Sequence, residues 1–189
     1  MAILILGLVI FLGAHTLTTL RETRAGLIAR FGENGYKGLY SLASAVGLVL
    51  IVYGFGSYRA AGYIPVWDPP TWTRHLAMPL VWLAFIALIS TYAPPGKIKG
   101  WLHHPMLAAV KIWALAHLLA NGDLGGIILF GSLLAWAVWD RIAVKRRGDF
   151  GAPASASFTK GDAIAVIVGT IAAVAMVYLH PILIGVSIV

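Results

Sequence analysis

The chain has 189 residues, of which 60% are hydrophobic and only 11% charged, with a formal net charge of +7. A soluble domain devotes about a quarter of its residues to Asp, Glu, Lys and Arg, so this composition excludes a water-clothed globule and points to lipid as the solvent. The absence of cysteine excludes disulfides, zinc-thiolate sites, iron–sulfur clusters and thiol catalysis, and basic residues confined to short connectors exclude nucleic acid as a partner.

A membrane-crossing helix needs about 20 mostly apolar residues. Six segments are expected to cross, in a single all-α transmembrane helical bundle covering 1–189: 2–20, 39–57, 75–92, 105–120, 124–139 and 163–184. The first lacks a basic leader and an A-x-A-like cleavage site, so it reads as a retained span rather than a signal peptide. It carries His15, followed by Thr16, Thr18 and Thr19, and stops at Arg21. In the second, Ser41, Ser44, Ala45 and Gly47 are small enough to admit a close helix neighbour.

The connector 58–74 holds Tyr63, Pro65, Trp67, Asp68, Pro69, Pro70 and Trp72, and reads as an interfacial loop or as a lid over a site. The third span ends before Pro94 and Pro95; the fourth opens at Pro105, where proline suits a first helical turn. The turn Asn121-Gly122-Asp123 is so short that the fourth and fifth spans must be antiparallel neighbours. The fifth ends ahead of Asp140, and the connector 141–161, with Gly-Ala-Pro-Ala-Ser-Ala-Ser, reads as a flexible linker before the sixth.

Three alternate connectors hold Arg21, Arg24, Arg30, Lys37, Lys97, Lys99, Arg141, Lys145, Arg146, Arg147 and Lys160, eleven of the fourteen Lys and Arg residues. The other side receives Arg59 and Arg74, while Lys111 falls inside the fourth span. The excess of basic residues on the cytoplasmic side of membrane proteins therefore predicts a multi-pass protein of the bacterial inner membrane with both termini periplasmic.

Ionisable residues within lipid are costly and need a reason. His15 is either hydrogen-bonded across a helix interface or a ligand, and His117, four residues after Trp113, is either a ligand or an interfacial anchor. His103 and His104 suit a helix entry, and His75 and His180 suit the opposite surface, although His75, His104 or His180 could replace a ligand. Lys111 either snorkels or neutralises an anionic cofactor group. No Asp or Glu lies deep in a span, which disfavours a diiron carboxylate centre.

Gly13-Ala14-His15 followed by Leu20-Arg21, the stretch from Tyr36 to Tyr40, His104-Pro105-Met106 and above all Trp113-Ala114-Leu115-Ala116-His117-Leu118-Leu119-Ala120-Asn121-Gly122-Asp123 carry a resemblance over essentially the whole chain. The chain resembles the NnrU family, associated with bacterial denitrification and in particular with nitrite and nitric oxide reduction. It is more distantly similar to plastid 15-cis-zeta-carotene isomerase, which uses a b-type haem bound by membrane histidines. By motif those ligand positions fall on His15 and His117. The isomerase has a cysteine where this chain has Ala114, so thiolate-for-histidine exchange does not carry over.

The resemblance thus implies haem b on His15 and His117, without thioether attachment, and with Lys111 or the pair Arg21 and Arg24 facing its propionates. Depth alone sets the two histidines roughly 10 Å apart along the membrane normal, and would pair His117 with His75 or His180. Three functions follow as expectations. The first is a haem protein with an accessory, sensing or electron-transfer role in nitrite and nitric oxide reduction, with nitric oxide, a redox partner or a second copy as partners. The second is a haem-dependent cis–trans isomerase of an apolar, carotenoid-like polyene; the third is a cofactor-free assembly or scaffold protein. No residue is assigned a catalytic role, and of the three only the second makes the protein an enzyme in its own right.

Overall fold

The computed structural model describes residues 1–153, 155 and 157–188. Ala154 and Ala156 of the expected flexible linker lie outside the described residues, as does Val189. The described residues form seven helices: α1 (Ala2–Thr19), α2 (Arg21–Ala60), α3 (Thr71–Tyr92), α4 (Lys97–Leu102), α5 (Pro105–Ala120), α6 (Leu124–Arg146) and α7 (Lys160–Leu183). Five of them, α1, α2, α3, α6 and α7, are long and apolar enough to cross a membrane; α5, at 16 residues, is a shorter apolar helix. The all-α membrane-type bundle expected from composition is the fold.

Helix boundaries depart from expectation in two places that matter. Residues 21–31, expected as a connector, are helical and join the second span through a kink at Gly32, where φ is 73° and ψ 165°. That backbone region is essentially open to glycine alone. Before the kink, Arg24, Leu27 and Phe31 fall at i, i+3 and i+7, one helical stripe. At the other end, α6 continues seven residues past Trp139, so Asp140 and Arg141 lie within a helix.

The five long helices and α5 stand in an open row, in the order α2, α1, α6, α5, α3, α7, with α4 tucked against α3, α5 and α7. Burial agrees with that order. Only 11% of the apolar window of α7 and 17% of that of α2 are buried, against 28% in α1, α3 and α6, as edge positions require. The main apolar cluster joins Leu4 and Leu8 of α1, Ile51 of α2, Ala114 of α5, and Leu129 and Phe130 of α6.

Backbone proximity holds α1 to α2. A Cβ on Gly47 would sit 2.7 Å from the Phe11 backbone nitrogen, and one on Gly7 2.6 Å from that of Ile51, so no side chain larger than hydrogen fits. Of the four small residues expected to admit a neighbour, only Gly47 is buried at such a crossing; Ser41 and Ala45 are exposed.

The loops are tied down at both ends of the bundle. The loop 61–70 folds over the α5–α6 turn, where Val66 and Trp67 donate to the Gly122 carbonyl at 2.8 and 3.1 Å and Leu124 donates to Ile64 at 2.9 Å. Opposite, the Asp162 carboxylate accepts from the amides of Lys97 (3.0 Å), Ile98 (2.7 Å) and Thr159 (2.8 Å), capping α4 and α7 together. Part of the expected linker is also bound, since Ala152 donates to the His103 carbonyl at 2.8 Å.

Candidate functional site

His15 is positioned by its own helix. Its Nδ1 lies 2.7 Å from the Phe11 carbonyl, one turn back. A carbonyl only accepts, so Nδ1 carries the proton and Nε2 keeps its lone pair in the neutral ring. The ring is half-buried among Phe11 (4.2 Å between centroids), Tyr40 of α2 (5.4 Å) and Trp136 of α6 (5.6 Å, edge-on). The three threonines after it are all engaged: Trp136 donates to Thr16, Thr18 to the His15 carbonyl, and Thr19 to Asp140.

His117 repeats this arrangement on α5. Its Nδ1 donates to the Trp113 carbonyl at 2.9 Å, again leaving Nε2 bare, and its ring lies 4.9 Å from Trp113 and stacks on Phe130 of α6 at 4.4 Å. Thus an aromatic residue four positions earlier supplies both a carbonyl and a ring wall for each histidine. Among the described residues no hydrogen bond engages Nε2 of either ring, and no three His, Asp or Glu side chains converge. The donor set fits a group coordinated by single histidines, not a multidentate metal cage.

The two rings face different stations of one helix. Trp136 and Phe130 are six residues apart on α6, about 9 Å along its axis, which keeps the depth difference read from the sequence. The electrostatic neighbour of His117 is His180 of α7, whose Nδ1 donates to the Val186 carbonyl at 2.7 Å. His75 is exposed, the fifth residue of α3. His104 lies with Nε2 3.2 Å from the Asp149 carbonyl and 3.7 Å from its carboxylate, while His103 meets the Ala152 carbonyl, so this pair fastens the connector after α6.

Beside His15 the structure holds a cleft the sequence did not disclose. Its polar arm, about 670 Å³, is lined by Thr18, Arg21, Arg24, Tyr36, Tyr40 and Arg147. A second, apolar arm of about 450 Å³ lies between α1 and α2, shares Tyr36 and Tyr40 with the first, and is lined also by Gly13, Leu17, Leu27 and Phe31. Arg21 and Arg24, named from the sequence, are therefore joined by Arg147 from the far end of the chain. Lys111 is elsewhere, on α5, with Arg141 as its electrostatic neighbour. Also unforeseen is Asp140, a buried carboxylate inside α6 that accepts from Thr19 at 2.7 Å. Of its lining, only Arg21 and Arg24 were singled out from the sequence as cations for an anionic group.

A family model described as NnrU protein matches residues 3–188. No curated protein and no solved structure matches the chain.

Proposed function

The chain belongs to the NnrU family, and on that premise we propose that it binds haem b within the membrane and serves bacterial nitrite and nitric oxide reduction in an accessory, sensing or electron-transfer role. The observation that carries this reading is the matched state of His15 and His117. Each ring is fixed through Nδ1–H to a backbone carbonyl and offers a bare Nε2, the form in which imidazole coordinates iron, with the second hydrogen bond setting ring orientation and basicity.

Bound at His15 or at His117, haem b would supply a redox-active iron able to take nitric oxide. The aromatic walls of Phe11, Tyr40, Trp136, Trp113 and Phe130 hold the imidazoles in place. Arg21, with Arg24 and Arg147, and Lys111, beside Arg141, are the cations on offer to propionates. The absence of thiols leaves non-covalent attachment. The family association with nitrogen-oxide reduction supports the physiological role.

The test is the visible spectrum of the purified protein, oxidised and reduced. Wild type is expected to show a Soret band that shifts when nitric oxide meets the reduced form, and His15→Ala and His117→Ala each to lose or displace it. A wild-type spectrum in both variants would remove the ligand assignment; a colourless protein after haem supplementation would remove the cofactor. The apolar arm beside α1 favours a second reading, a haem-dependent isomerase of a carotenoid-like polyene. Isomerisation of a cis-polyene by the purified protein would move the function there.

A further inference from the structure

We propose that the cleft between α1, α2 and the end of α6 is a binding site for an anionic phospholipid, its phosphate held among Arg21, Arg24 and Arg147 and an acyl chain laid in the apolar arm. The phosphate here takes the arginines that would otherwise face haem propionates, which leaves Lys111 beside Arg141 for those.

Four observations converge on it. First, the polar arm gathers three guanidiniums from two distant parts of the chain, and among the described residues no carboxylate forms an ion pair with any of them. Glu33 pairs with Lys37, and Asp140 is occupied by Thr19. Arg24 lies over the Tyr36 ring at 5.6 Å and has Glu33 as an electrostatic neighbour without a direct ion pair, and the planar donors of the three guanidiniums match phosphate oxygens. Second, two polar groups of this wall lack partners. Tyr36 is only 7% exposed and its hydroxyl makes no hydrogen bond. Nε of Arg147 is likewise buried and unpartnered, although Nη1 donates to the Thr19 carbonyl at 3.0 Å. Orphaned buried donors are rare and costly, and a headgroup oxygen would satisfy them.

Third, the ligand must be amphiphilic, because the two arms share the Tyr36–Tyr40 wall and the second is almost wholly apolar, bounded by aliphatic residues and Phe31. Fourth, the apolar arm opens sideways. Val9, Leu39 and Phe31 along it are 64%, 53% and 46% exposed, so a chain enters from the bilayer itself. A membrane lipid with a phosphate at the interface and its tail in the hydrocarbon has both parts at the required depths.

The full-length protein in detergent would be mixed with phosphatidylglycerol or phosphatidylcholine of identical chains, and retained lipid counted by native mass spectrometry. Phosphatidylglycerol is expected to be retained about tenfold better. Tyr36→Phe should lower that retention roughly fivefold, the double variant Arg24→Gln with Arg147→Gln should abolish the preference, and Lys145→Gln, exposed on α6 outside the cleft, should change nothing. Gly13→Leu fills the apolar arm at a position where a Cβ meets nothing within 4 Å, so it should weaken retention while the protein stays folded.

Equal retention of the two lipids would overturn the proposal, as would unchanged phosphatidylglycerol binding in both Tyr36→Phe and Gly13→Leu. Haem propionates share the anionic chemistry of the headgroup. If added haem expels the lipid one for one, and the arginine variants lose haem, the cleft belongs to propionates and the phospholipid assignment falls. Retention of lipid by the haem-loaded protein supports the assignment.

Discussion

Asp162 shows how a single side chain can tie two helices at one end of the bundle. Its carboxylate oxygens take three backbone amides, two from the start of α4 and one from the residue capping α7. Those are orphan donors of helix N-termini, which otherwise need water or a cap. Asp162→Ala is therefore expected to cost about 2 kcal/mol in thermal unfolding of the detergent-solubilised protein. Asp162→Asn keeps one accepting oxygen and should lose less. Unaltered unfolding in the alanine variant would mean that α4 is held by other contacts. His15 and His117 are governed by the same local chemistry, since a carbonyl four residues back sets which ring nitrogen is free. For them the consequence is reactivity rather than stability, and it is read by spectroscopy.

At the scale of elements, glycine decides which helices touch. Lipid tails are as apolar as leucine, so hydrophobicity cannot select a partner inside the bilayer, and close packing does. Gly47 lies against Phe11 so tightly that Gly47→Val must push α1 from α2, at an expected cost of about 3 kcal/mol. Gly13 is the contrast. Nothing lies within 4 Å of a Cβ there, so Gly13→Ala should stabilise by about 0.5 kcal/mol through helix propensity alone. Unfolding of the two variants in one detergent checks both figures, and equal losses would refute the packing assignment. The kink at Gly32 has a different basis. Its φ of 73° is strained for any residue with a Cβ, and straightening it would swing the Arg24–Leu27–Phe31 stripe away from the cleft.

For the whole molecule, the open row of helices makes a definite statement about neighbours. The chain has no native cysteine, so paired substitutions report contacts cleanly. Thr19→Cys with Asp140→Cys should cross-link α1 to α6, because those side chains meet at 2.7 Å. Trp82→Cys with Thr170→Cys, whose side chains are hydrogen-bonded at 2.9 Å, should join α3 to α7 through a short bifunctional reagent. Pairs placed on α2 and α7, at opposite edges, should not react within one molecule. An efficient intramolecular α2–α7 link would replace the row by a closed ring. Orientation is a separate matter resting on the eleven-to-two division of basic residues between the two sides. A reporter fused after Val189 should behave as periplasmic, and cytoplasmic activity there would reverse the assignment.

What the sequence determined by itself is what depends on local composition: a lipid environment, apolar segments that became the long helices, the short antiparallel turn at Asn121-Gly122-Asp123, and membership of the family through the stretch around His117. His15 and His117 were also legible, because an ionisable group in an apolar run stands out without knowledge of its neighbours. Tertiary structure alone decided the order α2, α1, α6, α5, α3, α7 and the gathering of Arg21, Arg24, Tyr36 and Arg147 into one cleft. It also decided that α6 runs on to bury Asp140 beside Thr19, 121 positions away. In water an apolar stripe tells which face of a helix is inward. In a bilayer both faces are apolar, so that signal vanishes, and inward faces are chosen by glycine contacts and a few long-range polar bonds whose partners lie far apart in the chain.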